Sequence, residues 1–241
     1  MQITILNKIR SIIFDLIFYS FSCSLLLVCL PFIWIFPRVF LEKIGYLWAK
    51  ISLLLLKKIV GLKINFHNLQ HIQHLTKNGP VIFACQHQSA LDTILPYFFL
   101  NRFALVLKKE LFYIPLIGLY HLRLNSIFVD RKRGILAIRH MLDKAKQNMS
   151  LKRSIFIYPE GRRNMPEDPI NCQPGIFFLY QKLNCPVIPI SLNTGLFWRR
   201  RTLFKEPGTV NVTIEHAIRP GMNKADFMHI LNQSFERKNM L

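Results

Sequence analysis

The residues in this chain that offer chemistry are a histidine and a carboxylate five positions apart. In PVIFACQHQSALDTILPYF, residues 80–98, an apolar run gives way to Gln86, His87, Gln88 and Ser89, and Asp92 follows as the one carboxylate of the stretch. Val81 to Ala84 reads as a buried strand. Ser89-Ala90-Leu91-Asp92 reads as a capping box, with Ser89 at N-cap and Asp92 at N3. His87 then sits outside the helix at the C-terminal edge of a strand, and the Asp92 side chain can point back toward it. A carboxylate on one ring nitrogen sets the tautomer and leaves the other nitrogen free as a base. On this stretch alone a second reading stands beside the first: Asp92 caps the helix and His87 is a polar loop residue.

A second polar turn ends another strand. SIFIYPEGRRN, residues 154–164, packs Glu160, Gly161, Arg162 and Arg163 together. The glycine permits a tight turn, and adjacent guanidiniums suit bidentate recognition of a phosphate. Between the two stretches lie Lys108, Lys109 and Arg131, again beside strand ends. Cations on three strand termini and a His/Asp pair on a fourth point to a phosphate-bearing substrate beside a general base.

The elements that must position these groups form an α/β pattern. Strands are expected at 62–66, 80–84, 103–107, 126–129, 154–158, 186–190 and 209–214, and helices at 89–100, 109–121, 133–148, 175–183 and 223–238. Such alternation predicts a sheet covered on both faces by helices. Upstream, residues 16–37 carry no charged side chain, and 22 helical residues would reach ~33 Å, enough for a bilayer core. A second apolar stretch, 44–62, places Lys50, Lys57 and Lys58 close to one helical face, the pattern of a helix lying in the membrane interface. A membrane-embedded helical hairpin, residues 1–62, ahead of a domain at 63–241 is the expected organisation, with a single membrane span or two core helices of a soluble bundle as the alternatives.

Composition agrees with a lipid setting. The chain is 51% hydrophobic with 20 Phe, yet carries 32 Lys and Arg against 13 Asp and Glu, a formal net charge of +19. That balance suits an anionic surface or anionic substrates. The basic runs at Phe197–Arg201 and Asp130–Arg133 come with no nucleic-acid-binding motif, so no nucleic acid partner is expected. Five cysteines without CxxC spacing argue against a disulfide framework and for a reducing compartment. His67, His71 and His74 have the spacing of a helical metal face, but LKIN before them reads as a strand, and no metal or other cofactor is expected.

Taken together, HQSALD (an HX4D motif), KKEL…IP…G, FVDR, YPEGRR and CPVIPISLNTGLFW resemble the four ordered motifs of the glycerolipid acyltransferases, nearest to the bacterial 1-acylglycerol-3-phosphate acyltransferase group, over roughly residues 60–220. The resemblance implies a mixed sheet flanked by helices and direct transfer of a fatty acyl group from acyl-CoA or acyl carrier protein to lysophosphatidic acid, giving phosphatidic acid, with no metal. It implies His87 as the base and Asp92 as its partner, with Lys108, Arg131, Glu160, Gly161, Arg162 and Arg163 binding substrate. Pro189 matches the fourth motif. The chain departs from the family pattern at Gln86, Tyr158, Arg162 and Asn164, where Asn, Phe, Thr and Ser are usual. The expected location is the inner membrane, with the catalytic domain on the cytoplasmic side. Two other readings remain: an acyltransferase for another lysolipid such as lyso-ornithine lipid, and a catalytically inactive lipid-binding protein. No GxSxG surrounds Ser89, so an acyl-serine route is not expected.

Overall fold

Strand β2 (Ile82–Cys85) is buried at all four positions, which a strand needs only when both of its faces are covered. Its side chains divide by parity. Phe83 and Cys85 join one cluster with Phe14, Leu41 and Leu95, while Ile82 and Ala84 join another with Met141, Ile176, Phe177 and Phe227. Phe83, Phe156 and Ile188 are at most 1% exposed, and burial of each is worth about 1.5–3 kcal/mol.

The structure is a computed structural model, and it describes residues 4–236. Among these, seven strands form one sheet. After β2 come β3 (Phe103–Lys108), β4 (Ile127–Val129), β5 (Ser154–Ile157), β6 (Val187–Leu192) and β7 (Gly208–Ile214), and β1 (Leu62–His67) precedes it. Their spatial order is β1-β7-β6-β2-β5-β3-β4. Strands β2 to β6 run parallel, whereas β7 lies antiparallel to β6 and carries β1 parallel to itself. The sheet is therefore mixed, as expected, and all seven expected strands are present within one or two residues of their limits.

The helices are α1 (Ile5–Cys29), α2 (Arg38–Leu55), α3 (Leu69–Lys77), α4 (Leu95–Phe99), α5 (Ile117–Arg123), α6 (Ile135–Ser150), α7 (Gly175–Leu183) and α8 (Lys224–Glu236). Two expected helices are shorter. The first, 89–100, is a 3-10 turn at Leu91–Thr93 followed by α4, because the Ser89 and Asp92 side chains cap backbone groups before the helix begins. The second, 109–121, is a 3-10 turn at Lys109–Tyr113 and then α5. Pro115 divides them and holds Ile114 extended at ψ 114°, as the residue before a proline prefers. The last expected helix reached residue 238, and its final two positions lie outside the described residues. His67 ends β1 while His71 and His74 ride on α3, so the three share no helix face.

The N-terminal segment is a pair of helices, with limits displaced from expectation. Helix α1 starts well before the charge-free run and absorbs Lys8, Arg10 and Asp15; Pro31 lies in a 3-10 turn, Leu30–Phe32, that closes it. Ile5–Phe32, with mean hydropathy 2.2, is long and apolar enough to cross a membrane. Its outer face is bare, with Leu16 at 72% and Val28 at 68% exposure. Helix α2 packs on α4, so closely that a Cβ on Gly45 would meet the Tyr97 ring at 2.9 Å.

Charged side chains fasten this pair to the sheet. Arg153, 3% exposed, pairs with Glu42 of α2 and donates to the Leu124 carbonyl at 3.0 Å. Arg123 donates to the carbonyls of Ile33 and Phe36 at 2.7 and 2.9 Å, gripping the turn between α1 and α2. Lys205, fully buried, pairs with Asp15 at 2.5 Å, and its ammonium lies 4.4 Å from the Trp198 ring centroid. Removing one partner of a buried pair strands the other charge, at a cost of about 3–5 kcal/mol. Asp15→Leu should therefore lower the melting temperature more than the apolar double replacement Asp15→Leu/Lys205→Met. Thermal melts in detergent check the order, and equal losses would show that leaving Lys205 unpaired carries no added cost.

Candidate active site

Parallel strands lay their C-terminal ends along one edge of the sheet, the position where open α/β sheets bind ligands. Here His87 follows β2, Lys108 ends β3, Arg131 follows β4, Glu160 follows β5 and Thr194 follows β6. Five strand ends thus deliver five side chains to one rim.

His87 is the centre of the arrangement. Its Nδ1 lies 3.0 Å from Asp92 Oδ2, with side-chain exposure of 14% for His87 and none for Asp92. The same carboxylate oxygen accepts the backbone N–H groups of Gln88 and Ser89 at 2.6 and 2.7 Å, and Oδ1 accepts the Thr194 hydroxyl at 2.5 Å. With a carboxylate on Nδ1, that nitrogen carries the proton and Nε2 is left with its lone pair. Among the described residues no hydrogen bond engages Nε2. Ser89 is buried, and its hydroxyl accepts the Leu91 N–H at 3.2 Å, so it serves the turn.

His87 is held from three further directions. Its backbone N–H donates to Glu160 Oε1 at 2.8 Å, its backbone carbonyl accepts from the Asn164 N–H at 2.8 Å, and the Tyr158 ring stacks on its imidazole at 4.1 Å and 22°. The Tyr158 hydroxyl donates to the Asp92 carbonyl at 2.8 Å. Burial, before any charge, holds that phenol well above its ordinary pKa, with the Arg163 guanidinium pulling it back; the hydroxyl therefore stays a donor. Gln88 is buried and accepts the Gly195 N–H at 3.1 Å, tying the β2 and β6 loops together. Burial likewise raises the Cys85 thiol well above its ordinary value, which leaves it no nucleophile.

The other candidates fall into two groups. Glu160 is 5% exposed, and both its oxygens are taken, one by His87 and the other by the Asn164 amide. Gly161 adopts φ +74°, a conformation open to glycine at little cost, and its carbonyl accepts from Arg131. Arg162 donates through Nε to Asn164 Oδ1 at 2.9 Å. The Arg163 carbonyl accepts from Arg200 at 2.5 Å. Lys108 ends β3 exposed, whereas its neighbour Lys109 pairs with Asp130 at 3.3 Å. Thus Glu160, Gly161 and Arg131 are drawn together with His87, and Lys108 stands apart on the rim.

Thr194, Gln88, Tyr158 and Asn164 are the supporting residues that sequence reasoning left unassigned. Thr194 lies 102 positions from Asp92, and nothing local marks it. Tyr158 and Asn164 were visible only as departures from the expected motif.

Residues 63–193, more than half of the chain, match the family model described as Acyltransferase. The chain belongs to the acyltransferase family. Among its relatives, the 1-acyl-sn-glycerol-3-phosphate acyltransferase of Pseudomonas aeruginosa is 27% identical over 171 residues, covering 71% of this chain and 65% of that protein. The human 1-acyl-sn-glycerol-3-phosphate acyltransferase beta is 27% identical over 177 residues, covering 70% and 61%. The match therefore spans less than two thirds of the length of these relatives. The crystal structure of the 1-acyl-sn-glycerophosphate (LPA) acyltransferase from Thermotoga maritima superposes with a TM-score of 0.79 at 20% identity, covering 97% of this chain and 96% of that one. The likeness establishes a common fold, the mixed sheet with flanking helices and the N-terminal helix pair included.

Within this acyltransferase fold Glu160 is a carboxyl displaced upward in its titration. Burial pushes its pKa from 4.5 up to about 7, against the lowering effect of the His87 N–H and the Asn164 amide. A carboxyl raised in the folded state binds more protons there than in the unfolded chain between those two values, so stability falls as pH climbs from about 4.5 to about 7. Glu160→Gln should flatten that stretch of the melting-temperature profile. An unchanged slope would mean that Glu160 titrates as it does in the unfolded chain.

Proposed function

We propose that this chain transfers a fatty acyl group from an acyl thioester to the sn-2 hydroxyl of lysophosphatidic acid, forming phosphatidic acid. The observation that carries the reading is the His87–Asp92 pair on the carboxyl edge of the sheet, with Nε2 free beside a rim of guanidiniums. The names of the curated relatives supply the acceptor.

In this reading Nε2 of His87 takes the proton of the acceptor hydroxyl as its oxygen attacks the thioester carbonyl. The tetrahedral intermediate then collapses, the C–S bond breaks, and the departing thiolate takes the proton from the imidazolium. Asp92, held by four donors, keeps the ring in the required tautomer and steadies its positive charge while it lasts. Arg163, with Lys108, Arg131 and Arg162, meets the acceptor phosphate, for which a forked guanidinium is well shaped. Glu160 and Gly161 act through the turn they build: the one seats the His87 backbone, the other offers its carbonyl to Arg131.

The setting is a membrane. Residues 1–62 act as the anchor, with the bare apolar face of α1 in lipid, and residues 63–241 as the transfer domain at the surface of the inner membrane on its cytoplasmic side. Both substrates partition into the bilayer, and the net positive charge favours anionic lipids and an anionic donor.

Acyl transfer from a labelled acyl thioester by detergent-purified protein tests the reading, with lysophosphatidic acid and lyso-ornithine lipid as parallel acceptors. Phosphatidic acid is the expected product, and acylated ornithine lipid alone would replace the acceptor while keeping the chemistry. His87→Ala should lower turnover by about 10²–10⁴, the usual contribution of a general base, and near-normal turnover would remove His87 from that role. Arg163→Ala should raise the KM for the acceptor while leaving that for the donor in place; the reverse pattern would move Arg163 to the donor side.

A further inference from the structure

The chain leaving β6, Leu192 to Gly195, is fastened to the loop after β2 in several ways, and one of them differs in kind from the rest. Gln86 Oε1 accepts the Leu192 N–H at 2.9 Å, and Gln88 Oε1 accepts the Gly195 N–H at 3.1 Å. The packing is close, since a Cβ on Gly195 would meet Pro166 at 2.9 Å and Gln88 Cβ at 3.0 Å. The Thr194 carbonyl accepts the N–H groups of Phe197 and Trp198 at 3.1 and 2.9 Å. These contacts fix the Thr194 backbone without any help from its hydroxyl.

That hydroxyl is fully buried and donates to Asp92 Oδ1 at 2.5 Å. Among the described residues it is the one donor to Oδ1, whereas Oδ2 serves the imidazole and the N–H groups of Gln88 and Ser89. Rotation of an aspartate carboxylate about its Cβ–Cγ bond is soft and roughly two-fold. Donors gathered on one oxygen leave that rotation free, and a donor on the second oxygen fixes the plane. Branching at Cβ stiffens the threonine side chain, so the hydroxyl is presented from a rigid side chain on a rigid turn. Ser191, as deeply buried on β6, sends its hydroxyl to Glu215 at 2.7 Å instead. Burial alone therefore does not aim a hydroxyl of this segment at Asp92.

From this we infer that Thr194 is a positioning residue for acyl transfer, acting through the plane of the Asp92 carboxylate on the imidazole of His87. The inference rests on the acyl-transfer reading above. With its plane fixed, Asp92 keeps Oδ2 aimed at Nδ1 both while the ring is neutral and while it carries the proton of the acceptor hydroxyl. The ring is positive only between attack on the thioester and collapse of the intermediate. Misalignment therefore weighs on turnover and leaves substrate binding in place. Thr194 has no exposed surface, so it meets neither substrate. Its hydroxyl comes from a segment 102 positions from Asp92, which makes correct seating of the loop after β6 a condition for a working base.

Thr194→Ala and Thr194→Ser lose the same methyl group and differ only in the hydroxyl, so the pair isolates the hydrogen bond. Thermal melts of the full chain in detergent verify folding, and Thr194→Val, which keeps the volume, replaces Thr194→Ala if that variant melts below the assay temperature. In Thr194→Ala kcat should fall at least about tenfold with KM for both substrates held, and Thr194→Ser should recover most of the loss. Ser191→Ala should keep the wild-type kcat. Equal kcat in Thr194→Ala and Thr194→Ser, an equal loss in Ser191→Ala, or a raised KM with kcat held overturns the role. NMR of the chain labelled with heavy nitrogen in its histidines reads the ring without relying on activity, the His87 signals being assigned by their loss in His87→Ala. Wild type and Thr194→Ser should show a neutral ring protonated at Nδ1, and Thr194→Ala a mixture of the two tautomers. That mixture supports the role even where wild type does not acylate lysophosphatidic acid, and in that outcome the reaction assignment alone fails. Wild-type ring signals in Thr194→Ala overturn the role whatever the turnover.

Discussion

The site depends on one fully buried carboxylate. Asp92 sits where an ion cannot remain without partners, and it has four: the imidazole, two backbone N–H groups of its own loop and a hydroxyl from the far loop. A buried charge is tolerable only when its oxygens are so engaged. Each donor that satisfies Asp92 also fixes something the chemistry needs. Two hold the backbone turn after β2, one orients the ring of His87, and Thr194 draws the loop after β6 against it. Glu160 then seats the His87 backbone and Tyr158 stacks on the ring face, which leaves Nε2 without a partner among the described residues.

That network can exist only because the sheet brings its parts together. Parallel strands put consecutive crossover loops on one edge, and the order β6-β2-β5 sets the loops bearing Thr194, His87 and Glu160 side by side. The same geometry explains why Lys108 and Arg131 come from strands farther along the rim. Arg131 follows the outermost strand and reaches inward to the Gly161 carbonyl, two strands away.

The N-terminal helix pair and the rim of the site meet through buried ions. Lys205 lies in the segment between β6 and β7, a few residues after Trp198 and Arg200, and Arg200 in turn holds the carbonyl of Arg163. Asp15 of α1 answers Lys205 from the anchor side. The apolar helix pair is therefore joined to the rim by oriented, directional contacts, in addition to the shapeless grip of hydrophobic packing. Burial of long aliphatic stems with paired heads serves both purposes at once.

Periodicity and motif order carried most of the architecture. All seven strands were legible because residues such as Val81–Ala84 and Val187–Ile190 form continuous apolar runs, which only a sheet covered on both faces produces. Helix limits were less legible where competing local chemistry intervened: Pro115 split one helix, and the capping work of Ser89 and Asp92 shortened another. The first helix was visible as an uncharged stretch, yet its start at Ile5 was not, since Lys8, Arg10 and Asp15 read as the end of a hydrophobic run until Lys205 is seen to donate to Asp15. Of the site, the His87–Asp92 pair was legible because its five-residue spacing is local. Thr194 and the Glu160 seat under His87 were not, because each depends on segments distant in the chain. Hydrogen bonds of that kind leave no trace in spacing, and only the folded sheet decides which loops become neighbours.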